Sequence, residues 1–189
     1  MILATHLRLS RLYPLMKTPL VMTVIGPDKP GLVDSVASLV ADHGGNWLES
    51  RMCHLGGQFA GLLQVEIEGT RSEDLEKALK ELAENGLEIV IHESVTDSDS
   101  HCMEVASIEI VGQDRPGIVK HIANAFTVSG VNVEELSTQC FSAPMSGERL
   151  FEAKARVCIP EFCDTFALRH KLESIASDLQ VDISYERVT

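Results

Sequence analysis

Two short stretches of this chain hold residues whose types and spacing suit the capture of a small charged molecule. Gly26-Pro27-Asp28-Lys29-Pro30-Gly31-Leu32-Val33 recurs 86 residues later as Gly112-Gln113-Asp114-Arg115-Pro116-Gly117-Ile118-Val119. A glycine at the mouth of a helix permits a tight bend and puts no side chain over the helix start. The first amides of a helix have no intrahelical acceptor and lie at the positive end of its dipole, so they favour anions. On this reading the N–H groups of Gly31, Leu32 and Val33 receive a carboxylate, and those of Gly117, Ile118 and Val119 do the same. Asp28 and Asp114 accept from an α-ammonium group. Asn46 and Asn132 each open a second strand, expected beside the first, and offer an amide that both donates and accepts. Each set would recognise the zwitterionic end common to all amino acids. The plainer alternative stays open. Gly-Pro turns begin many helices, and the two asparagines can simply satisfy backbone groups at a strand entry.

Catalysis finds less support. It needs a nucleophile, a base and an oxyanion site converging on one pocket. The seven histidines include none that occurs in both copies of the repeat or joins a recognisable motif. The carboxylates fall on alternating strand faces and outer helix faces, where solvation is the default. No catalytic residue, metal ligand set or cofactor is expected. The five cysteines are odd in number and lack paired spacing, which predicts free thiols in a reducing cytoplasm. Cys158 and Cys163 complete no zinc pattern. A net charge of −12 repels phosphate backbones, and no Lys/Arg cluster offsets it, so direct nucleic-acid binding is not expected.

The elements that would position these groups follow from the repeat. The register that aligns the two motifs also aligns Ala37 with Ala123, Gly44 with Gly130, Asn46 with Asn132 and Glu49 with Glu135, which points to duplication. Leu20 to Ile25 and Val105 to Val111 read as first strands, each followed by a helix. Val33, Val36, Ala37 and Val40, then Val119, Ile122, Ala123 and Phe126, predict the buried helix stripes. Glycines 44, 45 and 130 end these helices. Strand–turn–strand follows from Trp47 to Ile67, with Gly56-Gly57 as the turn. In the second copy Phe151 to Ile159 alternates apolar with polar. Leu75, Ala78, Leu79 and Leu82, then Leu168, Leu172, Ile175 and Ala176, mark a second helix in each copy. Leu87 to His92 and Val181 to Tyr185 close the units. Trp47, matched by Val133, is expected to fill a core or an interface.

The fold class is therefore α+β: two tandem ferredoxin-like βαββαβ domains, each an antiparallel sheet with helices on one face. Residues 1–17 form a leader, expected to be disordered or loosely docked. Residues 18–96 form domain 1, 97–102 the linker and 103–189 domain 2. No stretch is long enough to span a membrane.

Gly26 to Val33 with Gly44-Gly45-Asn46, and Gly112 to Val119 with Gly130-Val131-Asn132, closely resemble the ACT domain family over all but the leader. A free-standing tandem of two such domains resembles the glycine cleavage system transcriptional repressor group. That resemblance implies a regulatory protein, cytoplasmic and not an enzyme. It would bind a small amino acid, glycine or similar, at ACT domain interfaces and control transcription by contacting an activator protein. A homodimer or higher oligomer is implied, and so are ligand contacts at Asp28, Gly31, Leu32, Val33 and Asn46, and at Asp114, Gly117, Ile118, Val119 and Asn132. The competing reading is a ligand-independent oligomerisation or interaction module.

Overall fold

A computed structural model of the chain describes residues 17–93, 102–144 and 146–188. The leader, except Lys17, and the linker, except Cys102, lie outside the described residues. The chain divides between Thr96 and Asp97 into two compact units.

The first unit runs β1 (Lys17–Pro27), α1 (Leu32–Asp42), β2 (Asn46–Leu55), β3 (Gln58–Glu68), α2 (Ser72–Glu81) and β4 (Glu88–Glu93). The second runs β5 (Cys102–Gln113), α3 (Ile118–Val128), β6 (Asn132–Ser142), β7 (Arg149–Pro160), α4 (Thr165–Leu179) and β8 (Val181–Arg187). Each unit is a four-stranded antiparallel sheet, in the orders β2-β3-β1-β4 and β6-β7-β5-β8. This is the expected βαββαβ fold, twice.

Alternation along the central strands β1, β3, β5 and β7 sends one set of side chains under the helices. Leu20, Met22 and Val24 of β1 and Leu63, Val65 and Ile67 of β3 are buried against Val36, Val40, Leu75 and Leu79. In the second unit Ala106, Ile108 and Ile110 join Phe151, Ala153, Ala155 and Val157 beneath Ile118, Ile122, Phe126, Leu168 and Leu172. The α2 and α4 stripes fall where the spacing puts them.

The α1 and α3 stripes hold at Val36, Val40, Ile122 and Phe126 but fail at their first residues. Val33 is 45% exposed and Val119 43% exposed, while Leu32 packs on one core and Ile118 lies within the other. An i, i+3, i+4, i+7 template fits two faces one residue apart when both carry apolar side chains. The first residue after each glycine bend sets the phase. Ala123 is also exposed, and Ala125 takes its place in the core.

Trp47 is half-buried and packs against the core of the first unit, its Nε1 donating to Ser50 Oγ at 3.4 Å. Val133 fills less space. Beside it an apolar cleft opens between α3 (Val119, Ala123) and β6 (Val133, Leu136).

Candidate functional site

The two bends have the conformation that the glycines permit. Gly31 (φ +92°) and Gly117 (φ +98°) are both left-handed and immediately precede α1 and α3. Only glycine enters this region without steric cost. Their carbonyls begin the helical ladders, accepting from the Ser35 and His121 amides at 2.9 and 3.0 Å. Among the described residues nothing accepts from the Gly31, Leu32 or Val33 amides. A Cβ added at Gly31 would meet no atom within 4 Å, so that bend is open. At Gly117 the same Cβ would lie 3.5 Å from His121 Cδ2, so an imidazole flanks the second bend. Ser35 holds the equivalent place in the first unit, with its Oγ donating to the Gly31 carbonyl at 2.9 Å.

The first glycine of each motif does a different job. A Cβ on Gly26 would fall 2.5 Å from the Gly86 carbonyl oxygen, and one on Gly112 would fall 2.8 Å from Val181 Cα. These glycines let β1 and β5 pass close to the chain entering β4 and β8. Half of the motif is therefore packing, and half is an open helix mouth.

The aspartates are partly engaged. Asp114 accepts from Arg149 Nε at 3.1 Å, and its amide donates to the Arg149 carbonyl at 3.0 Å. Asp28 lies 3.8 Å from His54 Nε2, and its amide donates to the Gly57 carbonyl at 3.1 Å. Each bend is thus fastened to the tip of the neighbouring hairpin. The backbone amides stay free, whereas the carboxylates already have cationic or ionisable neighbours.

The asparagines are not where the sequence reading put them. β3 lies between β1 and β2, so the second strand is not beside the first. Asn46 pairs with Glu66, which pairs with Pro19 near the start of β1, whereas the bend follows the end of that strand at Pro27. Eight strand steps, about 27 Å at the usual rise, separate them. Asn132 is displaced in the same way, opposite Cys158, which is opposite Val105. Asn46 and Asn132 are exposed. Neither can reach the bend of its own unit.

Sequence reasoning also missed a covalent link. Cys102 and Cys158 are disulfide-bonded, with Cα atoms 5.4 Å apart and a sequence separation of 56. This corrects the expectation that all five cysteines are free; Cys53, Cys140 and Cys163 are. Spacing gave no signal, because only the β5–β7 register brings the pair together. Cys102, Cys158 and Glu134 also place their sulfur and oxygen atoms within 4.8 Å of one another. The disulfide occupies both sulfurs, and Arg156 Nε donates to Glu134 at 3.0 Å, so all three donors are engaged.

Nearby, Glu104 accepts from Tyr185 Oη at 2.7 Å and from Arg187 Nε at 2.6 Å, fastening β8 to β5. The Tyr185 hydroxyl, then Arg187, holds the Glu104 carboxyl below its ordinary range. Among the described residues no helix is long and apolar enough to cross a membrane.

Comparison with known proteins agrees with this architecture. The ACT domain family model matches residues 18–92. The UPF0237 protein of Methanopyrus kandleri is 34% identical over 85 residues, which is 41% of this chain and 91% of that protein. A crystal structure of an unknown protein from Galdieria sulphuraria superposes with a TM-score of 0.82 at 27% identity, covering 92% of this chain and all of that one (100%). A "putative glycine cleavage system transcriptional repressor" has the same fold, with a TM-score of 0.67 at 21% identity over 92% of this chain and 99% of that one. The repeated fold, the repeated glycine bend and these matches lead to one conclusion: the chain belongs to the ACT domain family, as a tandem of two ACT domains.

Proposed function

We propose that this protein is a non-catalytic regulator that binds a small amino acid through the amides at its glycine bends. The observation that carries the reading is the open bend at Gly31, where a left-handed glycine exposes the Gly31, Leu32 and Val33 amides at a helix start. A carboxylate there gains charge-assisted hydrogen bonds and a favourable dipole. Gly117, Ile118 and Val119 form the second such bend. Asp28 and Asp114 would receive the α-ammonium group, Asp114 in competition with Arg149.

Asn46 and Asn132 join such a site only from another ACT unit, which ties ligand binding to contact between units. The exposed edge strand β6, with Leu136 49% exposed and Val133 beside it, supports assembly through an unpaired edge. The same edge also favours the second reading, an interaction module indifferent to ligands.

Glycine is the first ligand to test, because a protein of the same fold carries the glycine cleavage repressor description. The net charge of −12 suits a cytoplasmic regulator that acts through contact with an activator protein rather than on DNA. Thermal unfolding across all twenty amino acids tests the reading. A stabilising shift for glycine or another small amino acid, weakened in Gly31→Val, supports it. No shift from any amino acid leaves the ligand-independent module.

A further inference from the structure

We propose that Cys102 and Cys158 form a reversible thiol–disulfide site, oxidised by low-molecular-weight disulfides, at a position that the first unit closes with an ion pair. The internal duplication carries this inference. In the first unit Lys17 stands opposite Glu68 on β3, and its Nζ lies 2.6 Å from the Glu66 carboxylate, two residues back along that strand. In the second unit Cys102 stands opposite Pro160 on β7, and its sulfur bonds that of Cys158, again two residues back. Glu66 faces Asn46 across its ladder, and Cys158 faces Asn132. The two links therefore occupy the same place in the fold, one electrostatic and one covalent.

Three features make the covalent version a switch rather than a framework bond. The equivalent unit closes this corner with a non-covalent pair, so the fold does not depend on a bond there. Cys102 sits at a register shift, beyond which Glu104 resumes the β5–β7 ladder, so release of Cys102 leaves that ladder in place. The other three cysteines are unbonded, and one bond among five cysteines is not the pattern of a disulfide-built domain.

Access sets the order of events. Cys102 is half-buried and Cys158 is 8% exposed. The Cys102 thiolate attacks one sulfur of glutathione disulfide, breaking that S–S bond and expelling a glutathione thiolate that takes up a proton. The Cys158 thiolate then attacks the Cys102 sulfur of the mixed disulfide, forming the protein bond and expelling the second glutathione, which is also protonated. The protein thiols lose two electrons and two protons, and glutathione disulfide gains both. This step requires no amino-acid ligand and stands apart from the proposed sensing role.

The full chain is equilibrated in glutathione buffers stepped from reduced to oxidised, then quenched by alkylation and analysed by peptide mass spectrometry. Cys102 and Cys158 should lose alkylation together in one transition, by at least tenfold, and regain it in dithiothreitol. Cys53, Cys140 and Cys163 should not pair with one another. The melting temperature should fall on reduction in the native chain and stay constant in Cys102→Lys/Cys158→Glu, which installs the pairing of the first unit. If that double variant does not fold, Cys102→Ser serves: it should leave Cys158 alkylatable in every buffer. The proposal is overturned if the pair fails to form at the oxidised end, survives at the reduced end in the folded protein, or titrates as two independent thiols.

Discussion

The two glycines of the first motif separate packing from binding, and substituting each by alanine reads the difference. Gly26→Ala places a methyl 2.5 Å from the Gly86 carbonyl oxygen and 3.3 Å from Leu87 Cα. Both obstacles are backbone, so the chain entering β4 must shift. Overpacking of this kind costs about 3 kcal/mol, a fall of roughly 10 °C or more in the melting temperature of a domain this size. Gly31→Ala meets no atom within 4 Å and bears only the left-handed strain at φ +92°, about 1–2 kcal/mol. Its methyl does, however, stand over the helix mouth. Loss of one charge-assisted hydrogen bond to a carboxylate is worth about 1.5–3 kcal/mol, or at least roughly tenfold in affinity. Urea unfolding followed through Trp47, the single tryptophan, reports on the first unit, and calorimetric titration with amino acids reports binding. Gly26→Ala should unfold early yet bind normally while folded, and Gly31→Ala should lose less stability but bind more weakly at its bend. Equal stability losses in the two variants, or undiminished binding in Gly31→Ala, would refute this division of labour.

Further expectations come from other parts of the fold. Because Glu104 titrates below its ordinary range in the folded chain, its contribution is present above the unfolded carboxylate range. It is lost as pH falls through the lower folded value. Glu104→Gln should therefore flatten the acid limb of a stability–pH curve measured by circular dichroism, leaving the neutral-to-basic limb unchanged in slope. Trp47→Val gives the first unit the smaller side chain of its counterpart, and circular dichroism melts should show a loss of about 2 kcal/mol from the missing packing. Leu136→Lys puts a charge on the exposed apolar edge of β6, and light scattering should record a smaller assembly than for the native chain.

Much of the fold was legible because its signals are local. Alternation in β3 and β7 and the apolar stripes of α2 and α4 depend on neighbouring residues. The glycine bends depend on a single backbone requirement. What sequence missed depends on topology. Leu32 and Val33 are both apolar, and only docking on the sheet selects the face. Asn46 looked adjacent to the bend because its strand was expected beside the first, but β3 lies between β1 and β2 and its register puts Asn46 at the opposite end. Cys102 and Cys158 are linked only by strand register. His121 reaches Gly117 because it lies one helical turn along α3, a proximity the motif did not encode.

The sensing account is tested most directly by calorimetric titration of the full chain with glycine, then serine, alongside Gly31→Val and Gly117→Val. The account predicts saturable binding by the native chain, with each variant losing one of two sites and the double variant losing both. Unchanged binding in the double variant, or no heat with any of the twenty amino acids, would contradict it.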